Sequence, residues 1–222
     1  MKMKEKYTEV RRALLTLSDM RVRETGQGRK PGRTITGYAI LFNNLSEPLY
    51  SDDDEECREM ILPGAVTKEL LDGSDIKMTM FHDPELLLAR SRNGEGTLKY
   101  RVDKKGVAFE FEAPETDDGD KALELVRRGD ICGCSFMFST HYYDEDYVER
   151  SVRRVNGRNL ITYRVKVITG IYDFTLAADP AYLDTSTEAS ERQLNKDLIS
   201  GIKEIELSRQ VQEMRSAADF SL

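Results

Sequence analysis

The sequence predicts an α+β chain that is mostly β, a curled or closed antiparallel β-barrel of about seven strands with short helices inserted between them. Three observations carry this prediction. Apolar residues alternate with polar ones in short runs rich in β-branched and aromatic side chains. Turn sequences such as NGEG and DKKG separate these runs at close intervals. Only two stretches between Thr34 and Tyr182 show helical spacing.

Taken in order, residues 1–31 are charged and end in GQGRKPG, a Gly/Pro/basic stretch that marks a boundary, so they read as an N-terminal arm. From Thr34, TITGYAILFNN alternates and reads as a strand. The acidic run SDDDEECRE is expected in a solvated surface loop. PGAVTKELLDGSD places Val66, Leu70 and Leu71 at helical spacing and ends at Gly73, which predicts a short helix. IKMTMFHD (76–83) reads as a strand with Met78, Met80 and His82 on one face.

LLLARSRNGEGTLKYRVDKKGVAFEFEAP holds three or four short strands, with hairpin turns at NGEG and DKKG. TDDGDKALELVRRGD is a helix with its acids early and two arginines in its last turn, the arrangement the helix dipole favours. ICGCSFMFSTHYY is a strand, and NLITYRVKVITGIYDFTLAADPAY gives two more. Beyond Asp184 the β pattern stops. Apolar residues at 194, 198, 202, 205, 207, 211 and 214 then follow a helical period opposite a charged face. Residues 32–187 are therefore the expected domain. Residues 188–222 are an amphipathic helical tail that packs on the domain, in a dimer, or on another partner.

A chain of 222 residues can bury a real core, and 33% charged against 39% hydrophobic residues reads as globular with some solvated tail. The net charge of −7 argues against nucleic acid as a partner, although RSVRRVNGR (150–158) is a local basic patch. No apolar run is long enough to span a membrane, and the N-terminal residues make a poor signal peptide. Three cysteines, two of them as C-x-C, suit a reducing cytoplasm better than a disulfide framework. The same pair lacks the second ligand pair that a structural zinc needs, and no phosphate-binding or dinucleotide motif is present, so no cofactor is expected.

GDICGCSFMFSTHYY (129–143) concentrates the remaining chemistry. Alternation sends Cys132, Cys134, Phe136 and Phe138 to one face, an apolar set that reads as core. Ser135 points the other way beside Gly133, and reads as accessible. A serine nucleophile needs a base within hydrogen-bond reach and a third group to hold that base. His82, at a strand end, is the candidate base, and Asp173 and Asp179 are candidate acids. Asp83 faces away from His82 along the strand. His141 with Asp144 and Glu145 reads as a solvated loop more readily than as a metal site. On residue pattern alone a strand serine is far more often structural than catalytic.

The order of ITGYAILFN, REMILPGAV, a strand ending FHDP, a helix ending RRGDICGCSFMF, and IYDFTLAADPAY resembles the tailed-phage prohead serine proteases, relatives of the herpesvirus assemblins. The likeness covers residues 20–187 and lies in the order and spacing of the motifs. It implies a herpesvirus-protease-like fold. His82 falls in the family's "nHd" strand end and Ser135 in its "G-x-S-f-x-F" strand. Asp173 falls on the acid of "l-x-E-v-S-l-v-t-x-P-A". Met137 and Ala177–Ala178–Asp179 depart from the pattern, which bears on substrate preference and the oxyanion site.

The resemblance implies a catalytic set of His82, Ser135 and Asp173, with oxyanion donors expected near Asp179–Tyr182. It also implies capsid and scaffold proteins as substrates, self-cleavage, and a place inside the procapsid in the host cytoplasm. A homodimer or higher oligomer is compatible with the tail. Two other readings stand beside it: a non-catalytic capsid-assembly or scaffolding protein on the same fold, and a cysteine hydrolase using Cys134.

Overall fold

The computed structural model describes residues 9–17 (as backbone), 20–23 and 32–178. The amphipathic tail at 188–222 lies outside them. In chain order the elements are β1 (Glu9–Leu17), β2 (Arg21–Arg23), β3 (Thr34–Leu41), β4 (Tyr50–Ser51), β5 (Glu55–Ile61), α1 (Lys68–Asp72), β6 (Asp75–Met80) and β7 (Asp83–Arg92). They continue with β8 (Glu95–Gly96), β9 (Lys99–Val102), β10 (Gly106–Glu112), α2 (Asp117–Arg128), β11 (Gly133–Thr140), β12 (Val148–Val155), β13 (Arg158–Val165) and β14 (Gly170–Ala177).

These strands form three sheets, ordered β1-β11-β14-β6-β7-β8, β2-β3-β10-β9 and β12-β13-β5-β4. The expectation of a curled or closed antiparallel barrel is therefore corrected. Among the described residues no sheet closes on itself, and each of the three ends in edge strands. The pairing is not wholly antiparallel either, because β14 runs parallel to β6 and β13 parallel to β5. Alternation along a strand reports which side is buried and is silent on whether the last strand returns to the first.

Burial here is achieved between sheets. Ile35, Phe109 and Phe111 from the second sheet, Met78, Phe138 and Phe174 from the first, and Cys57, Ile161 and Tyr163 from the third belong to one continuous buried cluster.

The acidic run is the second correction. SDDDEECRE was expected in solvent, but from Glu55 it is a strand, with Cys57, Glu59 and Ile61 directed inward. Glu59 is tolerated there because the Tyr142 hydroxyl donates to its carboxylate, and a buried carboxylate needs such a donor. The basic patch is likewise a strand. β12 is exposed along most of its length and turns into β13 through Asn156–Gly157, both with positive φ.

The two helices follow their sequence signals. Thr67 caps α1 by accepting the Leu70 N–H, and Thr116 caps α2 by accepting the Gly119 N–H. Gly129 ends α2 in the left-handed conformation, and Ala122, Leu123 and Val126 form its buried stripe. No described helix is long and apolar enough to cross a membrane.

Candidate active site

Three neighbouring strands of the first sheet, β11, β14 and β6, build the site. β11 pairs antiparallel with β14, placing Ser135 opposite Thr175. β14 pairs parallel with β6, placing Thr175 beside Thr79. A row of three hydroxyl residues therefore crosses the sheet. Asp173 lies two residues before Thr175 on the same strand, so period-2 alternation puts both on one face with Ser135.

His82 does not extend β6, as the alternating pattern suggested. Met80 pairs with Asp83, which leaves Phe81 and His82 as a two-residue hairpin loop. Both have positive φ, 57° and 56°, the backbone that the tightest hairpins require and that Asn-Gly normally supplies. Two bulky residues in this region carry strain of about 1–3 kcal/mol each. The surrounding contacts hold them there. The His82 N–H donates to Thr175 Oγ1 at 2.8 Å, the Thr79 hydroxyl donates to the same oxygen at 3.0 Å, and the Phe81 N–H donates to the Leu176 carbonyl at 3.0 Å.

The turn swings the imidazole back over the sheet, between the other two candidates. His82 Nδ1 lies 3.0 Å from both carboxylate oxygens of Asp173, and Nε2 lies 3.0 Å from Ser135 Oγ. A carboxylate can only accept, so Nδ1 carries the proton and Nε2 presents a lone pair to the serine hydroxyl. The structure thus brings together His82, Ser135 and Asp173. An aspartate, one methylene shorter than the glutamate of the family pattern, spans the gap.

The expected exposure of Ser135 needs correction. The residue is 5% exposed, and the His82 side chain 7%. Of the four residues assigned to the core face, Cys134, Phe136 and Phe138 are buried, but Cys132, just before β11, is only half-buried. Burial pushes the Cys134 thiol far above its ordinary range, and the nearby Asp173 charge adds to this. Buried on the core side and biased towards its protonated form, this thiol is a poor nucleophile, which argues against the cysteine-hydrolase reading.

The remaining candidates lie elsewhere. Asp83 caps the start of β7 by accepting the Glu85 N–H. The His141 ring packs edge-on against Tyr147, with centroids 4.6 Å apart. Among the described residues no group of three or more His, Cys, Asp or Glu could hold a metal. Asp179 and the expected oxyanion donors Asp179–Tyr182 lie outside the described residues.

Thr175 and Thr79, which hold the His82 turn, are residues that sequence reasoning passed over. A signal was available for the first. Thr175 stands two residues after Asp173, where the family pattern "l-x-E-v-S" has its small hydroxyl residue.

No curated protein matches the chain. A solved structure, that of the bacteriophage T4 capsid assembly protease gp21, is similar at 11% identity, covering 74% of this chain and 97% of that one, with a TM-score of 0.36. Residues 18–198 match the family model of the caudovirus prohead serine proteases, so the chain belongs to that family of capsid-maturation proteases.

Proposed function

We propose that the chain is a serine endopeptidase in which Ser135 is the nucleophile, His82 the general base and Asp173 the group that orients it. The observation that carries this reading is the single imidazole bridging Asp173 and Ser135 through 3.0 Å contacts on its two nitrogens. The roles follow from acyl-transfer chemistry. Ser135 Oγ attacks the scissile carbonyl as its proton passes to His82 Nε2, and Asp173 stabilises the imidazolium that forms. That proton then goes to the leaving amine nitrogen as the C–N bond breaks, leaving an acyl ester on Ser135. Water attacks the ester, giving one proton to His82, which returns it to Ser135 Oγ as the acid leaves.

The family supports capsid and scaffold segments as substrates, with cleavage inside the procapsid of an infected cell. The test is co-expression with the capsid and scaffold proteins of the same phage. Ser135→Ala should abolish their processing, a loss of at least about 10⁴-fold in rate, with an unchanged fold by circular dichroism. A fluorophosphonate probe should label Ser135 in the parent and nothing in the variant. Full processing by Ser135→Ala would overturn the assignment. A parent unlabelled and inert towards its substrates would favour the non-catalytic assembly role.

A further inference from the structure

β11, the strand carrying Ser135, has two neighbours in its sheet, and they differ in kind. β14 carries Asp173 and is fixed on its far side by β6. β1 ends the sheet, pairs only with β11 within it, and is formed by residues that precede the family match at 18–198. The ladder between β1 and β11 runs from Glu9 opposite Thr140 to Leu17 opposite Gly133, with one interruption. Ala13 pairs with Phe136 and Thr16 with Cys134, so two residues, Leu14 and Leu15, stand opposite Ser135 alone. The bulge falls at the candidate nucleophile.

We propose that the β11 edge is a docking edge for an extended peptide, and that residues 9–17 are its resident occupant, holding the enzyme latent until they leave. The inference rests on Ser135 being the nucleophile. A protease must bring an extended peptide alongside this serine. Backbone pairing to a sheet edge is the sequence-tolerant way to do so. With β14 fixed, the only edge of β11 that can be vacated is the one β1 covers. A covering strand tethered to the same chain competes at an effective concentration in the millimolar range. Free substrate therefore loses to it until the segment is cut or pulled away. The bulge weakens the ladder at one point, which suits a strand that must come off.

The test uses the full chain with Ser135→Ala to prevent cleavage and a fluorescein-labelled peptide of residues 7–19 as probe. Adding Thr16→Cys places a thiol at the register partner of native Cys134, close enough for a disulfide across the pair. The oxidised protein, with its crosslink verified by mass, should bind the peptide at least tenfold more weakly than the same protein after reduction. Independently, Arg12→Pro combined with Ala13→Pro removes two successive N–H groups, one of which must face β11, and should tighten binding several-fold over the parent. Equal binding by oxidised and reduced protein, no gain from the prolines, or no peptide binding in any form would each overturn the proposal.

A fluorophosphonate is too small to need a strand site. It should label the oxidised and reduced forms of Thr16→Cys alike when Ser135 is intact. Failure to label either would count against the nucleophile assignment, while the peptide comparison would still decide the strand.

Discussion

At the scale of single residues, Thr175 holds the turn that carries His82. Its hydroxyl oxygen accepts the His82 N–H and the Thr79 hydroxyl, tying a left-handed turn to the middle of the sheet. Thr175→Val keeps the shape and removes the acceptor, leaving the part-buried His82 N–H without its partner at a cost of about 1–3 kcal/mol. The midpoint of urea unfolding should fall with its slope unchanged, and kcat/KM should drop at least about tenfold because the imidazole is no longer held in place. Thr175→Ser should restore both, which a purely structural role for the methyl group would not allow. Wild-type kcat/KM in the valine variant would remove Thr175 from the positioning role. Asp173→Asn tests the other side of the ring. An amide can donate to Nδ1, which turns the tautomer round and points an N–H at Ser135. The expected loss in kcat is about 10³–10⁴-fold, with substrate binding little changed. A variant within tenfold of the parent would deny Asp173 its orienting role.

Ser135, His82 and Asp173 were legible as candidates through motif order and spacing, with strand alternation bearing only on Ser135. The turn that aims His82 was not. Phe-His carries none of the Asn or Gly signals by which a left-handed hairpin is recognised, since contacts from β14 enforce it.

At the scale of elements, hairpin turns and caps were the clearest part of the sequence, and two of them can be tested. Asp103 closes the turn between β9 and β10. Burial pushes its carboxyl upward, but the Tyr38 hydroxyl, the N–H groups of Lys105 and Gly106 and the Arg101 charge outweigh this and hold it below the usual range. A depressed carboxyl stabilises the fold above its unfolded pKa of about 3.9, and that stability is lost as pH falls through the folded value. Asp103→Asn keeps an acceptor but cannot titrate. The stability profile of the variant should be flatter than the parent's below about pH 4, as followed by melting temperature. Parallel acid limbs would show that the turn carries no such linkage.

The first turn of α2 offers a case where two rules conflict. Alanine is favoured over glycine inside a helix by about 1 kcal/mol. A Cβ on Gly119, however, would sit 2.0 Å from the Pro114 carbonyl oxygen. The backbone contact decides, and Gly119→Ala should destabilise by about 1–3 kcal/mol in chemical denaturation. Element reading failed where charge masked alternation. Glu55–Ile61 and Val148–Val155 look like solvated stretches by composition, yet pairing makes them strands.

At the scale of the whole molecule, the three sheets share one core, which is why the count and closure of strands could not be read from local pattern. Alternation says that a strand has an inside, and only long-range pairing says which sheet supplies it. The native cysteines allow this unity to be measured. Cys57 lies on β5 in the third sheet and Cys134 on β11 in the first, both essentially without exposure, whereas Cys132 is half-buried just before β11. In pulsed alkylation with iodoacetamide, Cys132 should react in native buffer while the other two stay protected. With rising urea, Cys57 and Cys134 should become reactive at one common midpoint, because neither sheet can expose its thiol without opening the cluster both contribute to. Two separated midpoints would mean that the third sheet unfolds independently of the sheet carrying the site. In that case substitutions around Glu59 should leave peptide cleavage untouched, whereas a shared core requires them to lower the temperature at which cleavage is lost.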